Sequence, residues 1–193
     1  EETIQMVTEQ NERLSKLVRT LLDMSELQTV ARNDRIELHS LIEEVLTDLE
    51  PLAQEKNIEL IQNSQRGVEK ADEELFMTGS DILIYRMLYN LVENAIKYNQ
   101  KDGTVTVSAI REKNEVVLTV SDTGNGIDEA FRTQIFEPFF RIDKSRSREL
   151  GGVGLGLTMV REVVRVHDGT IKVYANKNKG TTFEVKMRLG AEK

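Results

Sequence analysis

The stretch DILIYRMLYNLVENAIKY, residues 81–98, reads as one helix that makes two demands on its surroundings. Ser80 precedes it as a capping residue, and neither glycine nor proline interrupts it. Ile84, Met87, Leu88, Leu91 and Ile96 recur at helical spacing and form a face to be buried. Asn90, Asn94 and Lys97 stand at i, i+4 and i+7, which lines them up on one side of the helix. Beside a core, such a polar line is costly unless a ligand satisfies it. An amide oxygen such as that of Asn94 is a hard donor suited to Mg2+ already bound to phosphates. Lys97 is a point charge for phosphate oxygens.

Patterns of both kinds surround this helix. Ser40 and Glu43 form a capping-box pattern for a helix over residues 41–55, followed by strand-like pieces at 58–62 and 74–78. Residues 104–110 and 116–120 alternate or run β-branched about the charged turn Glu112-Lys113-Asn114, which predicts a hairpin. A third helix opens near Gly154 and ends at His167, with Gly169 placed to cap it. Strands at 170–175 and 181–189 flank a turn over 176–180. The fold class is therefore α+β: a two-layer α/β sandwich with a mixed sheet and helices on one face. Residues 1–30 contain neither glycine nor proline and read as one long N-terminal helix. Its apolar positions include Val7, Leu14, Leu17, Val18, Leu21, Leu22, Met24 and Leu27. Nothing nearby in sequence covers that stripe, so a partner chain or a preceding helix is expected to do so. Residues 31–34 are polar and read as a linker.

Composition narrows the function. The 193 residues suffice for one substantial domain and an appendage, and 39% hydrophobic with 31% charged is ordinary for a globular chain. No run approaches the roughly 18 apolar residues of a spanning helix. Because the chain begins at Glu1, a membrane segment is expected only in a parent protein. The absence of cysteine excludes disulfides, thiolate metal sites and cysteine nucleophiles. A net charge of −7 argues against nucleic acid as a partner. The local exception is Arg141, Lys144, Arg146 and Arg148, just before a glycine-rich run.

That run, Gly151-Gly-Val-Gly-Leu-Gly-Leu157, is either a phosphate cradle or a linker. It is not a Walker loop, since Leu157 and Thr158 follow Gly156, and its glycines alternate unlike a dinucleotide fingerprint. A further segment, Asp122-Thr-Gly-Asn-Gly-Ile-Asp128, follows a strand directly. Its carboxylate can accept from an exocyclic amine, while Gly124 and Gly126 let backbone approach a flat base. The aromatic segment Phe136-Glu-Pro-Phe-Phe-Arg141 is read as docking a loop.

Taken in order, LYNLVENAIKYN (88–99), SDTGNGID (121–128), FEPFFR (136–141) and GGVGLGL (151–157) resemble the N, G1, F and G2 boxes of bacterial sensor histidine kinases. The resemblance covers residues 34–189 and implies the Bergerat ATP-binding fold, with ATP and Mg2+ as cofactors and a lid over 131–154. It implies that Asn94 holds Mg2+, that Asn90 and Lys97 contact phosphates, and that Tyr98 lies beside the nucleotide. Asp122 would read the adenine amine, with Gly124, Gly126 and Ile127 beside it. Arg141 would reach the terminal phosphate, so that Asn90, Lys97 and Arg141 are the catalytic set. The backbone of Gly152, Val153, Gly154, Leu155 and Gly156 would wrap the phosphates, and Gly180-Thr181 would close near the adenine. Two departures are Val153, where many relatives have Thr, and His167-Asp-Gly in place of His-Gly-Gly.

The same resemblance assigns residues 1–30 to the second helix of a dimerisation and phosphoacceptor domain, and 35–193 to the catalytic domain. It implies a homodimer through that helix, a response regulator as partner, and the cytoplasmic part of a membrane-bound sensor. A phosphoacceptor motif is missing: His39 reads as a surface residue, and His167 as a helix end favoured by the dipole. Hydrolytic relatives of this fold, such as gyrases and the heat-shock chaperones, place a general-base Glu four residues before the metal-binding Asn. Here Asn90 stands there and cannot take a proton, while Glu93 is rotated about 100° per residue off the line. The expected activity is therefore phosphoryl transfer from Mg-ATP to a histidine outside the chain. A serine kinase or an ATPase of the same fold is the alternative.

Overall fold

The computed structural model describes residues 29–63, 75–142, 153–176 and 179–190, together with Asn11, Ser15, Val18, Leu22, Ser25 and Leu27. Most of the expected N-terminal helix, the cations Lys144, Arg146 and Arg148, and Gly151 and Gly152 lie outside the described residues. Of the expected apolar stripe, Val18 and Leu22 are exposed while Leu27 is buried in the core.

Chain order among the described residues is β1 (Asp34–Glu37), α1 (Leu38–Glu55), β2 (Glu59–Gln62), β3 (Phe76–Gly79), α2 (Asp81–Lys97), β4 (Thr104–Glu112) and β5 (Glu115–Asp122). Two short 3-10 turns, Glu129–Phe131 and Gln134–Phe136, precede α3 (Gly156–Val166), β6 (Thr170–Ala175) and β7 (Thr181–Arg188). The five-stranded sheet runs β2-β4-β5-β7-β6, parallel between β2 and β4 and antiparallel elsewhere. A small antiparallel pair, β1 with β3, forms a second sheet that the sequence reading lacks.

Strand alternation builds the inner face. Val107 lies opposite Val120 and Val120 opposite Phe183; Ala109 lies opposite Leu118 and Leu118 opposite Val185. All are buried, and they pack with Ile84, Met87, Leu88, Leu91 and Ile96 of α2 and Val160, Val163 and Val164 of α3 in one core. Asp122 and Thr181 end these inward rows, so a carboxylate and a hydroxyl close an apolar face. The opposite face carries hydroxyls that pair across strands, as in Ser108 with Thr119 at 2.6 Å. This is the expected two-layer, mixed-sheet architecture.

Helix ends differ in detail from the sequence reading. α1 begins at Leu38, not Leu41, because Glu37 accepts the backbone N–H groups of His39 and Ser40 (3.2 and 2.6 Å). The Ser40–Glu43 capping pattern thus falls inside the helix. Ser80 is the N-cap residue of α2, yet its hydroxyl makes no capping bond. Two distant groups serve instead: Asp34 accepts from the Asp81 N–H at 3.1 Å, and His167 Nε2 accepts from the Ser80 N–H at 3.0 Å. At the C-terminus of α3, Asp168 rather than Gly169 takes the left-handed conformation, with φ of 52°. Gly169 is required for space, since a Cβ there would lie 2.7 Å from the Lys186 carbonyl oxygen.

His167 is structural, but as a neutral ring rather than a cation at a dipole. Its Nδ1 bonds the Val163 carbonyl at 2.8 Å, and an Nε2 that accepts from Ser80 cannot carry a proton. Burial holds its pKa below the usual histidine value; the Val163 bond and Asp168 oppose this, and Arg32 adds to it. In the unfolded chain the ring titrates near 6.5, so it binds a proton there before it does so in the fold. Stability is therefore full above about pH 7 and falls as pH drops through roughly 6.5. The urea midpoint of the parent chain should decline between pH 7.5 and 5.5, and a His167→Gln variant should show a flatter profile over that interval. Parallel profiles would refute the neutral bridge.

Candidate functional site

The Asp122 carboxylate joins three segments. One oxygen, Oδ1, accepts the backbone N–H groups of Gly124 at 2.8 Å and Thr181 at 3.1 Å. The other, Oδ2, takes no hydrogen bond among the described residues and is free to accept from a donor. Burial raises the pKa above the usual aspartate range, and the two N–H groups pull partly in the opposite direction. Backbone packs tightly around this acid. A Cβ on Gly180, whose φ is 92°, would lie 2.0 Å from the Asp122 carbonyl oxygen. A Cβ on Gly124 would come within 2.6 Å of the Tyr98 carbonyl oxygen, and Gly126 faces Gly180. Thr181 is buried, Ile127 packs half-buried against the core, and Tyr98, at the end of α2, is exposed.

Two residues that the sequence reading did not single out tie the end of α2 to this loop. Thr123 Oγ1 accepts the Thr104 N–H at 2.9 Å and donates to Asn99 Oδ1 at 3.2 Å, while Asn99 Nδ2 donates to the Thr104 carbonyl at 3.0 Å. Gly103 fits beneath them, since a Cβ there would lie 2.3 Å from Asn99 Oδ1. The only local sign of this was the polar residue inside each motif, which spacing alone does not interpret.

Along α2, Asn90 and Asn94 are half-buried and both reach the start of α3. Asn90 Nδ2 donates to the Arg86 carbonyl at 2.8 Å, and its Oδ1 lies 2.7 Å from where a Gly156 Cβ would be. Asn94 Nδ2 lies 3.9 Å from the same point, and no hydrogen bond of the Asn94 amide is found among the described residues. Gly156 is therefore a glycine because the amide of Asn90 occupies its side-chain space. Lys97 is held by Glu93 in an i, i+4 ion pair at 2.7 Å. Glu93 thus lies within reach of one member of the expected line, although it is not part of it.

The segment ahead of α3 is docked as its aromatic content predicts. Phe136 is buried edge-on against Phe183 of the inner sheet face (centroids 6.4 Å apart), and Phe131 packs on Phe140 at 6.0 Å. The Phe139 N–H donates to the Gly154 carbonyl at 2.9 Å, which clamps the two ends of residues 139–154 together. Gly154 has φ of 80°, and a Cβ there would touch Phe139 backbone at 3.0 Å. Between these anchors stands Arg141, half-buried, whose Nη2 is buried with no hydrogen-bond partner among the described residues. An unpaired guanidinium N–H out of water is costly, and an anion would satisfy it. Val153 is half-buried and Leu155 buried, while Gly152 lies outside the described residues.

Contacts therefore run unbroken from Thr181 through Asp122 and Gly124 to Tyr98, and along α2 to Asn94, Asn90 and Gly156. One end offers an open carboxylate oxygen among glycines; the other offers the Asn94 amide, unbonded among the described residues, and the opening of a helix. Open grooves of about 820 Å³, beside β1 and the start of α2, and about 430 Å³, between α1 and β2, lie away from this line.

A family model described as histidine kinase-, DNA gyrase B- and HSP90-like ATPase matches residues 79–191. The sensor histidine kinase RppB of Synechocystis sp. is 32% identical over 186 residues, covering 95% of this chain and 40% of the relative. The sensor-like histidine kinase SenX3 of Mycobacterium tuberculosis is 33% identical over 178 residues, covering 91% and 42%. The chain spans about two-fifths of the length of these curated relatives. Among solved structures, the nucleotide-free catalytic domain of histidine kinase ThkA superposes with a TM-score of 0.71 at 26% identity, over 82% of this chain and 97% of that one. Histidine kinase ThkA in complex with response regulator protein TrrA shares the fold, with a TM-score of 0.75 at 23% identity over 98% of this chain and 51% of that one.

Proposed function

The chain belongs to the family of histidine kinase-, DNA gyrase B- and HSP90-like ATPases, as the ATP-binding catalytic domain of a sensor histidine kinase, and we propose that it presents the γ-phosphate of Mg-ATP to a histidine outside the chain. The observation that carries this reading is the Asp122 carboxylate, buried with one oxygen tied into backbone and the other left open. An open acceptor between glycines suits the exocyclic amine of adenine, with Tyr98 and Ile127 at its margin.

At the phosphate end, Arg141 with its unpaired Nη2 would take the terminal phosphate, and backbone from Gly152 to Gly156 would line the chain of phosphates. Lys97 would exchange its Glu93 partner for a phosphate oxygen. The free Asn94 amide fits Mg2+, and Mg2+ would neutralise charge developing on the phosphates. Asn90 positions the phosphates; an amide cannot deprotonate water, so hydrolysis is slow and the phosphoryl group survives for a better-placed nucleophile. That feature favours a kinase over the hydrolytic members of the family.

The acceptor histidine would lie on a dimerisation helix to which residues 1–30 contribute the second member, and the phosphohistidine would pass its group to an Asp of a response regulator. As a consumer of ATP, the chain would work on the cytoplasmic side of a membrane-bound sensor. Among the described residues no helix is long and apolar enough to cross a membrane.

Two outcomes are expected. Asp122→Asn keeps an Oδ1 for Gly124 and Thr181 but turns an amide toward the adenine amine. ATP affinity by calorimetry should fall by about tenfold or more, as for a lost charged hydrogen bond, while the urea midpoint does not fall. Unchanged affinity would refute the adenine assignment. Incubated alone with labelled Mg-ATP, the chain should bind nucleotide without acquiring acid-labile, base-stable phosphate; such phosphate on His39 or His167 would contradict the external acceptor.

A further inference from the structure

Asn176 lies just beyond β6, with its side chain among residues on the sheet face opposite the helices. Its Nδ2 donates to the Asp122 carbonyl at 2.8 Å and to Ser121 Oγ at 3.0 Å. Its Oδ1 accepts from the Thr182 hydroxyl at 2.6 Å, and the Thr182 and Ser121 hydroxyls are 2.9 Å apart. Each of the three side chains thus touches the other two, and the Asn176 N–H also bonds the Gly180 carbonyl at 3.1 Å.

The register explains why a side-chain amide is needed there. The β5–β7 ladder ends at Ser121 opposite Thr182. The next backbone pair would be Asp122 with Thr181, but the Thr181 N–H turns away to the Asp122 carboxylate. That leaves the Asp122 carbonyl without a strand partner on the β7 side, and Gly180 passes so close that a Cβ would lie 2.0 Å from its oxygen. The Asn176 amide fills the gap. By taking the carbonyl, it leaves the Thr181 N–H free to hold Oδ1, which in turn aims Oδ2.

We propose that Asn176, with Thr182 and Ser121, is a positioning unit for base recognition: it acts on the nucleotide only through the orientation of the Asp122 carboxylate. The proposal rests on the adenine-reading role of Asp122 given above. Without the amide, the Asp122 carbonyl competes for the Thr181 N–H, and Oδ2 no longer holds one direction. The effect should be confined to the exocyclic amine of the base and leave the triphosphate contacts untouched.

The test compares ATP with purine riboside triphosphate, which lacks only that amine, binding to the 193-residue chain by calorimetry or competition. The parent should prefer ATP by about tenfold, the value of one hydrogen bond to a charged acceptor. Asn176→Ala should lose most of that preference by weakening ATP while the amine-free analogue binds as before. Thr182→Val, which keeps the shape but removes the hydroxyl, should move the same way even if Asn176→Ala folds poorly, and Thr182→Ser should restore the preference. If both nucleotides weaken in parallel in the variants, or the preference stays within twofold of the parent, the positioning role is overturned. A parent that binds neither nucleotide, or binds both equally, would overturn the base-reading role and the positioning role together.

Discussion

One carboxylate accepting two backbone N–H groups holds this molecule's working end together. Asp122 terminates an inward row of valines and leucines, where an ionised group is expensive, and Gly124 and Thr181 repay part of that cost through Oδ1. Because the two donors come from the loop after β5 and from the first residue of β7, the bonds also fix how those segments approach. The glycines follow from that approach: Gly124 under the Tyr98 carbonyl and Gly180 against the Asp122 carbonyl leave no room for a side chain. On the proposed reading, one carboxylate closes the sheet through Oδ1 and reads a base through Oδ2. A second, half-buried anchor, the neutral His167 ring at the Ser80 N–H, ties the helix bearing Asn90 and Asn94 to the end of α3.

The phosphate end is organised differently. There the constraint is proximity between helices: Asn90 fills the space beside Gly156, so the start of α3 can approach the polar line of α2. The preceding segment is pinned at its aromatic base by Phe136 on Phe183 and clamped by the Phe139–Gly154 bond, with Arg141 inside the clamp.

Local periodicity made much of this legible from sequence. The line of Asn90, Asn94 and Lys97 follows from helix geometry alone, and the hairpin of β4 and β5 from alternation about a charged turn. What escaped depended on partners far away in the chain. β1 has four residues, too few to show a period, and exists only by pairing with β3, whose strand-like character was legible over 74–78. The cap of α2 comes from His167, 87 positions away, so Ser80 looked sufficient although its hydroxyl caps nothing. Asn176 and Thr123 resembled ordinary turn and loop polar residues, because their importance lies in a carbonyl and an amide that only the register leaves unpaired. Lys97 was placed on the site line from spacing, but its ion pair with Glu93 of the adjacent line was not foreseen.

The central claim is that Asp122 is a buried acid kept for an amine donor. Its carboxyl can be followed by carbon-detected NMR across a pH titration, without and with saturating ATP. Burial should hold the free chain's value above the usual aspartate range, and ATP should lower it, because a donor on Oδ2 favours the charged form. A pKa that is ordinary in the free chain, or that does not move when ATP binds, would contradict the role given to this residue.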